Sequence, residues 1–283
     1  MGKAARTKAV DRGSVRQKIQ ARRQAEHRAR VRRRLLLAVG SVTLVVALVA
    51  VLVVVKLNTK SAAPQAAVTD DHVATQLTSV PASIFDAVGT GSATGLKAIS
   101  GEPELIKDGK PEVLYMGGEY CPFCAAERWA LAAALSRFGT LTGLNFIHSA
   151  PDDGNVPTLT FAKAEYTSKY LAFTPVEWFG EAADPSTPFG HVYLQQPTSQ
   201  QTALFNRYAG GAIPFVDIGN RYVVPQAQYQ YTDLQGLTWQ QIATAMHDPS
   251  SQVAKDIDGA ANVLTAALCT LTHGQPGNVC TKG

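Results

Sequence analysis

The chain has 283 residues, 46% of them apolar, with 26 Lys or Arg against 22 Asp or Glu and a formal net charge of +4. The charge is unevenly placed: the first 34 residues carry thirteen Lys or Arg against Asp11 and Glu26, whereas past Leu57 there are twelve basic and twenty acidic side chains, a net −8. The pI near 8.8 therefore describes the tail rather than the larger part of the chain, and although the Arg-rich tail admits a nucleic-acid reading, topology and contact with anionic lipid head groups explain it more simply.

Leu35 to Val55 runs for 21 residues without a charge. As a helix this stretch is roughly 31 Å long, about the thickness of a bilayer's hydrocarbon core. A cleavable signal peptide is the rival reading, but its apolar region is usually only about 7–15 residues. Val55-Lys-Leu-Asn offers no small-residue cleavage site, although Lys60-Ser-Ala-Ala keeps that reading open. The expectation is a basic cytoplasmic tail over 1–34, a transmembrane signal-anchor helix over 35–57, and a single-pass topology with everything beyond it outside the cytoplasm. Residues 58–75 read as a polar, Ala- and Pro-containing linker, and 76–283 as one extracytoplasmic domain large enough to bury its own core.

Within that domain, Val80 to Val88 predicts a short helix, followed by the flexible run Gly89-Thr-Gly-Ser-Ala-Thr-Gly. Glu112-Val-Leu-Tyr-Met-Gly-Gly then reads as a buried strand ending in a glycine turn, and Ala125 to Phe138 as an Ala-rich helix with Cys124, Leu131, Leu135 and Phe138 on one face. Leu144 to His148 predicts a second strand, and strand–helix–strand at this spacing implies parallel pairing. Residues 150–205 read as an irregular insertion. Phe215–Ile218 and Arg221–Val224 flank a Gly-Asn turn and predict a hairpin, before closing helices over Trp239–Met246 and Val253–Leu271.

Cys121-Pro-Phe-Cys124 lies between the first strand and its helix. The leading sulfur therefore falls at a helix N-terminus, where free N–H groups and aligned peptide dipoles favour a thiolate and lower its pKa. A thiolate attacks disulfides, and a second cysteine one turn on can resolve the product. The four cysteines, 121, 124, 269 and 280, leave three pairings open. The close pair closes too small a loop to staple anything, so it reads as the redox pair. Cys269 and Cys280 flank a Gly- and Pro-containing turn and read as a structural clip. The competing reading, a zinc site built from all four, lacks a second closely spaced ligand pair.

Tyr115-Met-Gly-Gly-Glu-Tyr-Cys-Pro-Phe-Cys124, Gly211-Ala-Ile-Pro-Phe215 and the tail from Leu268-Cys269 to Cys280 resemble a membrane-anchored, thioredoxin-like family of actinobacteria and archaea catalogued as domain of unknown function DUF929. The resemblance implies an α/β, thioredoxin-like fold with an insertion, preceded by one N-terminal transmembrane helix. It implies that Cys121 and Cys124 are catalytic, and that Ile213 and a cis Pro214 lie beside them and seat an extended client chain. Phe123 reads as an exposed apolar contact for that client. Thioredoxins proper place a buried acid on the strand about six residues before the first cysteine; here that position is Tyr115.

The expected function is a thiol–disulfide oxidoreductase without metal or organic cofactor. Its expected partners are exported or membrane protein thiols and disulfides, or a membrane redox partner. The alternative is a non-catalytic thioredoxin-fold accessory or assembly subunit of a membrane complex, for instance a respiratory one. Among single residues, Glu119 reads as a solvated or N–H-capping acid, Trp129 as core and His148 as a hydrogen-bonded structural histidine. Trp178 and Phe179 read as either a docking surface or a second small core.

Overall fold

A computed structural model describes residues 66–280. The basic tail, the apolar segment 35–57 and the start of the linker lie outside the described residues. Among the described residues no helix is long and apolar enough to cross a membrane.

Two short helices come first, α1 (Asp71–Thr78) and α2 (Ala82–Val88). The Asp70 carboxylate accepts the Val73 N–H at 3.0 Å and caps α1, which buries Val73 and Leu77. This helix lies largely within the segment read as a linker, so folded structure begins ahead of residue 76. Two buried residues four apart, in an otherwise polar run, gave too weak a helical pattern to stand out.

The strands β1 (Lys97–Ala98) and β2 (Ile106–Lys107) precede β3 (Lys110–Gly118), which runs into helix α3 (Pro122–Ser136). Every residue of α3 from Cys124 to Leu135 is buried, as expected of a helix whose surroundings close on all sides rather than on one stripe. It packs against the long C-terminal helix and against strand 157–160. Full burial of Trp129, Leu131 and Leu135 contributes about 1.5–3 kcal/mol each.

After α3 the chain leaves the main sheet. β4 (Gly139–Thr142) pairs antiparallel with β7 (Glu165–Ser168), and β5 (Asn145–His148) pairs antiparallel with β6 (Pro157–Thr160), as two separate ladders. The sequence reading made 144–148 the parallel partner of β3; the structure gives that place to β8 (Ala172–Ala183), in register from Glu112↔Ala172 to Met116↔Val176. Only four residues long, β5 turns back onto its own neighbour, whereas the twelve-residue β8 can pair with the length of β3. Pro175, Glu177 and Glu181 interrupt the apolar pattern of β8 and disguise it as irregular insertion. The excursion therefore occupies 139–171, and the later part of the segment read as insertion holds β8, the strand His191–Tyr193 and the start of the helix Ser199–Tyr208.

β9 (His191–Tyr193) borders β8, and helix α4 (Ser199–Tyr208) leads to β10 (Phe215–Ile218) and β11 (Tyr222–Val224). Gly219 and Asn220 both take positive φ, and Arg221 N–H returns to the Ile218 carbonyl at 3.0 Å, so this turn is as the Gly-Asn pair predicts. Helices α5 (Trp239–Ala245), α6 (Gln252–Leu271) and α7 (Gly277–Cys280) close the domain. The result is a mixed α/β fold whose main sheet runs β1-β11-β10-β3-β8-β9, with β2 beside β3. Cys269 and Cys280 form a disulfide that ties α7 onto the end of α6.

Candidate functional site

The site is built where β3 ends. β10 pairs antiparallel with β3 in the register Phe215↔Met116. Continuing that register brings the Ile213–Pro214 loop alongside Gly117 and Gly118, next to the first cysteine. Gly118 makes the approach feasible: a Cβ there would lie 2.8 Å from the Tyr120 ring and 3.2 Å from the Ile213 Cδ1. The Ile213–Pro214 peptide is cis, and both residues are buried.

Cys121 is the N-cap of α3, with Pro122 in the first turn, where a missing N–H costs nothing. The Cys124 amide donates to Cys121 Sγ at 3.3 Å, and the Cys121 thiol faces the Ile213 carbonyl at 3.8 Å. Both thiols are free; Cys121 keeps 5% of its surface exposed and Cys124 none. An incoming sulfur therefore meets Cys121 first. Phe123, 45% exposed, stands outside the pair with its ring edge-on to Tyr231 at 5.0 Å.

The two thiols are electrically unlike. A hydrogen bond from the Cys124 thiol lowers the Cys121 pKa against the opposing effect of burial, helped by the Cys124 amide, the Arg128 charge and the Phe123 amide. Burial pushes Cys124 well above the ordinary thiol range, and its hydrogen bond to Cys121 raises it further. One sulfur is prepared to be a thiolate and its neighbour to hold a proton.

Sequence reasoning missed Arg128 and Glu177. Arg128 Nε donates to Glu177 Oε1 at 2.9 Å and Nη2 to Oε2 at 2.8 Å, and both side chains are fully buried. Nη2 also donates to the Gly118 carbonyl at 2.7 Å, and the Phe161 amide donates to Glu177 Oε1 at 3.0 Å. The Arg128 charge lowers both thiol pKa values. A signal was present: Arg128 falls four residues after Cys124, on the same helical face, inside an apolar run. Its partner was hidden because β8 was not recognised as a strand.

Glu119 neither caps α3 nor lies in open solvent; it accepts from the Thr160 hydroxyl at 2.6 Å, and burial raises its pKa. Trp129 is core, with Nε1 donating to the Pro157 carbonyl at 3.0 Å. The His148 ring lies 4.7 Å from Trp239, and its Nδ1 has no hydrogen-bond partner among the described residues, so the expected bond is not made at that atom. Phe179 is fully buried and, with Trp178, Phe189 and Phe205, builds a second small core. With Cys269 and Cys280 joined, a zinc site drawing on all four sulfurs is excluded.

A family model described as "Domain of unknown function (DUF929)" matches residues 98–185, the family that the motifs resemble. The matched segment contains both free cysteines, Arg128 and Glu177, and stops short of the Ile213–Pro214 loop and the disulfide. No curated protein and no solved structure matches the chain.

Proposed function

We propose that the chain is a membrane-anchored, extracytoplasmic thiol–disulfide oxidoreductase of thioredoxin-like fold, acting through Cys121 and Cys124. The observation that carries this reading is the asymmetry of the pair: a pKa-lowered sulfur at the helix N-cap beside a pKa-raised one within the helix. In the reducing direction the Cys121 thiolate attacks a client disulfide and one client sulfur leaves as a thiolate. Cys124 then loses its proton and attacks Cys121 Sγ, expelling the second client sulfur, which takes up a proton. The client gains two electrons and the cysteine pair becomes a disulfide. The reverse sequence oxidises a client dithiol.

Ile213 and Pro214 would seat the client chain in extended form, and Phe123 would offer it an apolar contact. The apolar segment 35–57 would anchor the domain near exported chains or a membrane redox partner. The Cys269–Cys280 bond supports an oxidising location, since such bonds persist outside the cytoplasm.

The test is a Cys124→Ala variant of the full-length chain mixed with a disulfide-containing peptide. A stable adduct on Cys121, mapped by mass spectrometry, is expected; the wild type should discharge it and Cys121→Ala should form none. Absence of any adduct would overturn the proposal. The low exposure of Cys121 favours the second reading, a non-catalytic accessory subunit. On that reading the variant traps nothing and the chain instead co-purifies stoichiometrically with one membrane complex.

A further inference from the structure

In either direction of exchange, the charge rests for a moment on Cys124, as resolving nucleophile or as leaving group, at a site with no exposure. An isolated anion in such surroundings is strongly disfavoured. The strand position where thioredoxins keep a buried acid holds Tyr115, which is fully buried, so proton removal by a carboxylate at that position is unavailable.

Two side-chain donors nonetheless converge on the Gly117–Gly118 corner. Arg128 follows Cys124 by one turn of α3, on the same face. The Gly118 carbonyl is held by Arg128 Nη2 at 2.7 Å, which places the guanidinium beside the same corner. Tyr115 Oη fills the space over Gly117, 2.1 Å from where a Cβ would be, so only glycine fits there. Arg128 and Tyr115 are neighbours, with the guanidinium carbon 5.9 Å from the ring centroid. Both side chains keep a donor, Arg128 Nη1 and Tyr115 Oη, buried without any hydrogen-bond partner among the described residues. An orphaned buried donor is costly, and each such group in a folded protein calls for an explanation.

We infer that Tyr115 Oη and Arg128 Nη1 form a buried donor pocket that takes up the negative charge of Cys124 when its thiol ionises. This rests on the thiol–disulfide reading and deepens it. The two orphaned donors gain a partner only at the step that needs them, and Glu177 and the Gly118 carbonyl fix the guanidinium in place. Stabilisation by fixed donors then replaces proton removal by a buried acid. Tyr115 and Arg128 act through Cys124 and are positioning residues.

The test uses single-turnover release of nitrothiobenzoate from its symmetric aromatic disulfide by the full-length reduced chain. Attack by Cys121 releases one equivalent; resolution by Cys124 releases the second. With Tyr115→Phe, the first phase should stay within about twofold, while the second slows by about 10- to 100-fold, the value of a hydrogen bond to a charged group. Its pH midpoint should also move up. Arg128→Met should slow the same phase wherever it folds, but Tyr115→Phe decides. An unchanged second phase, or both phases slowing equally, overturns the donor pocket while leaving the oxidoreductase reading standing. Failure of the wild type to release any nitrothiobenzoate sinks that reading and this inference together.

Discussion

Arg128 and Glu177 meet in a two-pronged ion pair, at 2.9 and 2.8 Å, with neither side chain exposed and with the guanidinium directed at the corner that carries the cysteines. Two opposite charges at this depth offset one another's desolvation only while both are present. Glu177→Gln should therefore cost about 3–5 kcal/mol of unfolding free energy by leaving Arg128 uncompensated. Arg128→Met with Glu177→Leu should be much nearer the wild type. Guanidinium denaturation of the three proteins checks this, and an equal loss in the single and double variants would contradict it.

Glu127, fully buried on α3, has its pKa pushed up to about 8 from an ordinary 4.5 by burial, opposed by the Gln228 amide that donates to it. Asp258 is likewise raised to about 8 by burial. A carboxyl group with a raised folded pKa binds its proton more tightly in the folded state than in the unfolded one. Its stabilising contribution is complete below about pH 4.5 and is lost as pH rises through about 8. Stability should fall across that window, by up to about 1.4 kcal/mol per pH unit for each such group. Glu127→Gln should flatten the fall. Urea midpoints between these pH values check it; an unchanged slope in the variant would contradict the assignment.

The Cys269–Cys280 bond closes a short loop of sequence separation 11. Chain-entropy arguments give such a loop about 3 kcal/mol. Replacing both cysteines by Ala should lower the unfolding free energy by about that amount while leaving Cys121 alkylation unchanged, because the clip lies at the far end of α6 in sequence and shares no residue with the site. A change in Cys121 reactivity would show that the clip and the site are coupled.

What was legible in the sequence was local. The strand before CPFC, the helix after it, the hairpin at Phe215–Val224 and the pairing of Cys269 with Cys280 all follow from patterns contained within a few residues. The placement of Cys121 at a helix N-terminus followed from the same logic, and the structure makes it the N-cap. Pairing at longer range was not legible. β5, with Phe146 and Ile147 at its centre, looks like a sheet strand as much as β8 does, and Pro175 within β8 argues against the right answer. Arg128 was overlooked because its meaning depends on Glu177, 49 residues away, and on burial that only the assembled sheet creates. Tyr115 was read as a departure from a family pattern; that its hydroxyl sits at Gly117 without a hydrogen-bond partner among the described residues is a property of packing.

The most direct test of the account is the pH dependence of alkylation at each free cysteine in the reduced full-length chain, read separately by mass spectrometry. Cys121 should react with a midpoint below the value of about 8.5 for an ordinary thiol, and Cys124 should remain unreactive over the same range. A Cys121 midpoint at or above that of a free thiol, or Cys124 reacting first, would contradict it.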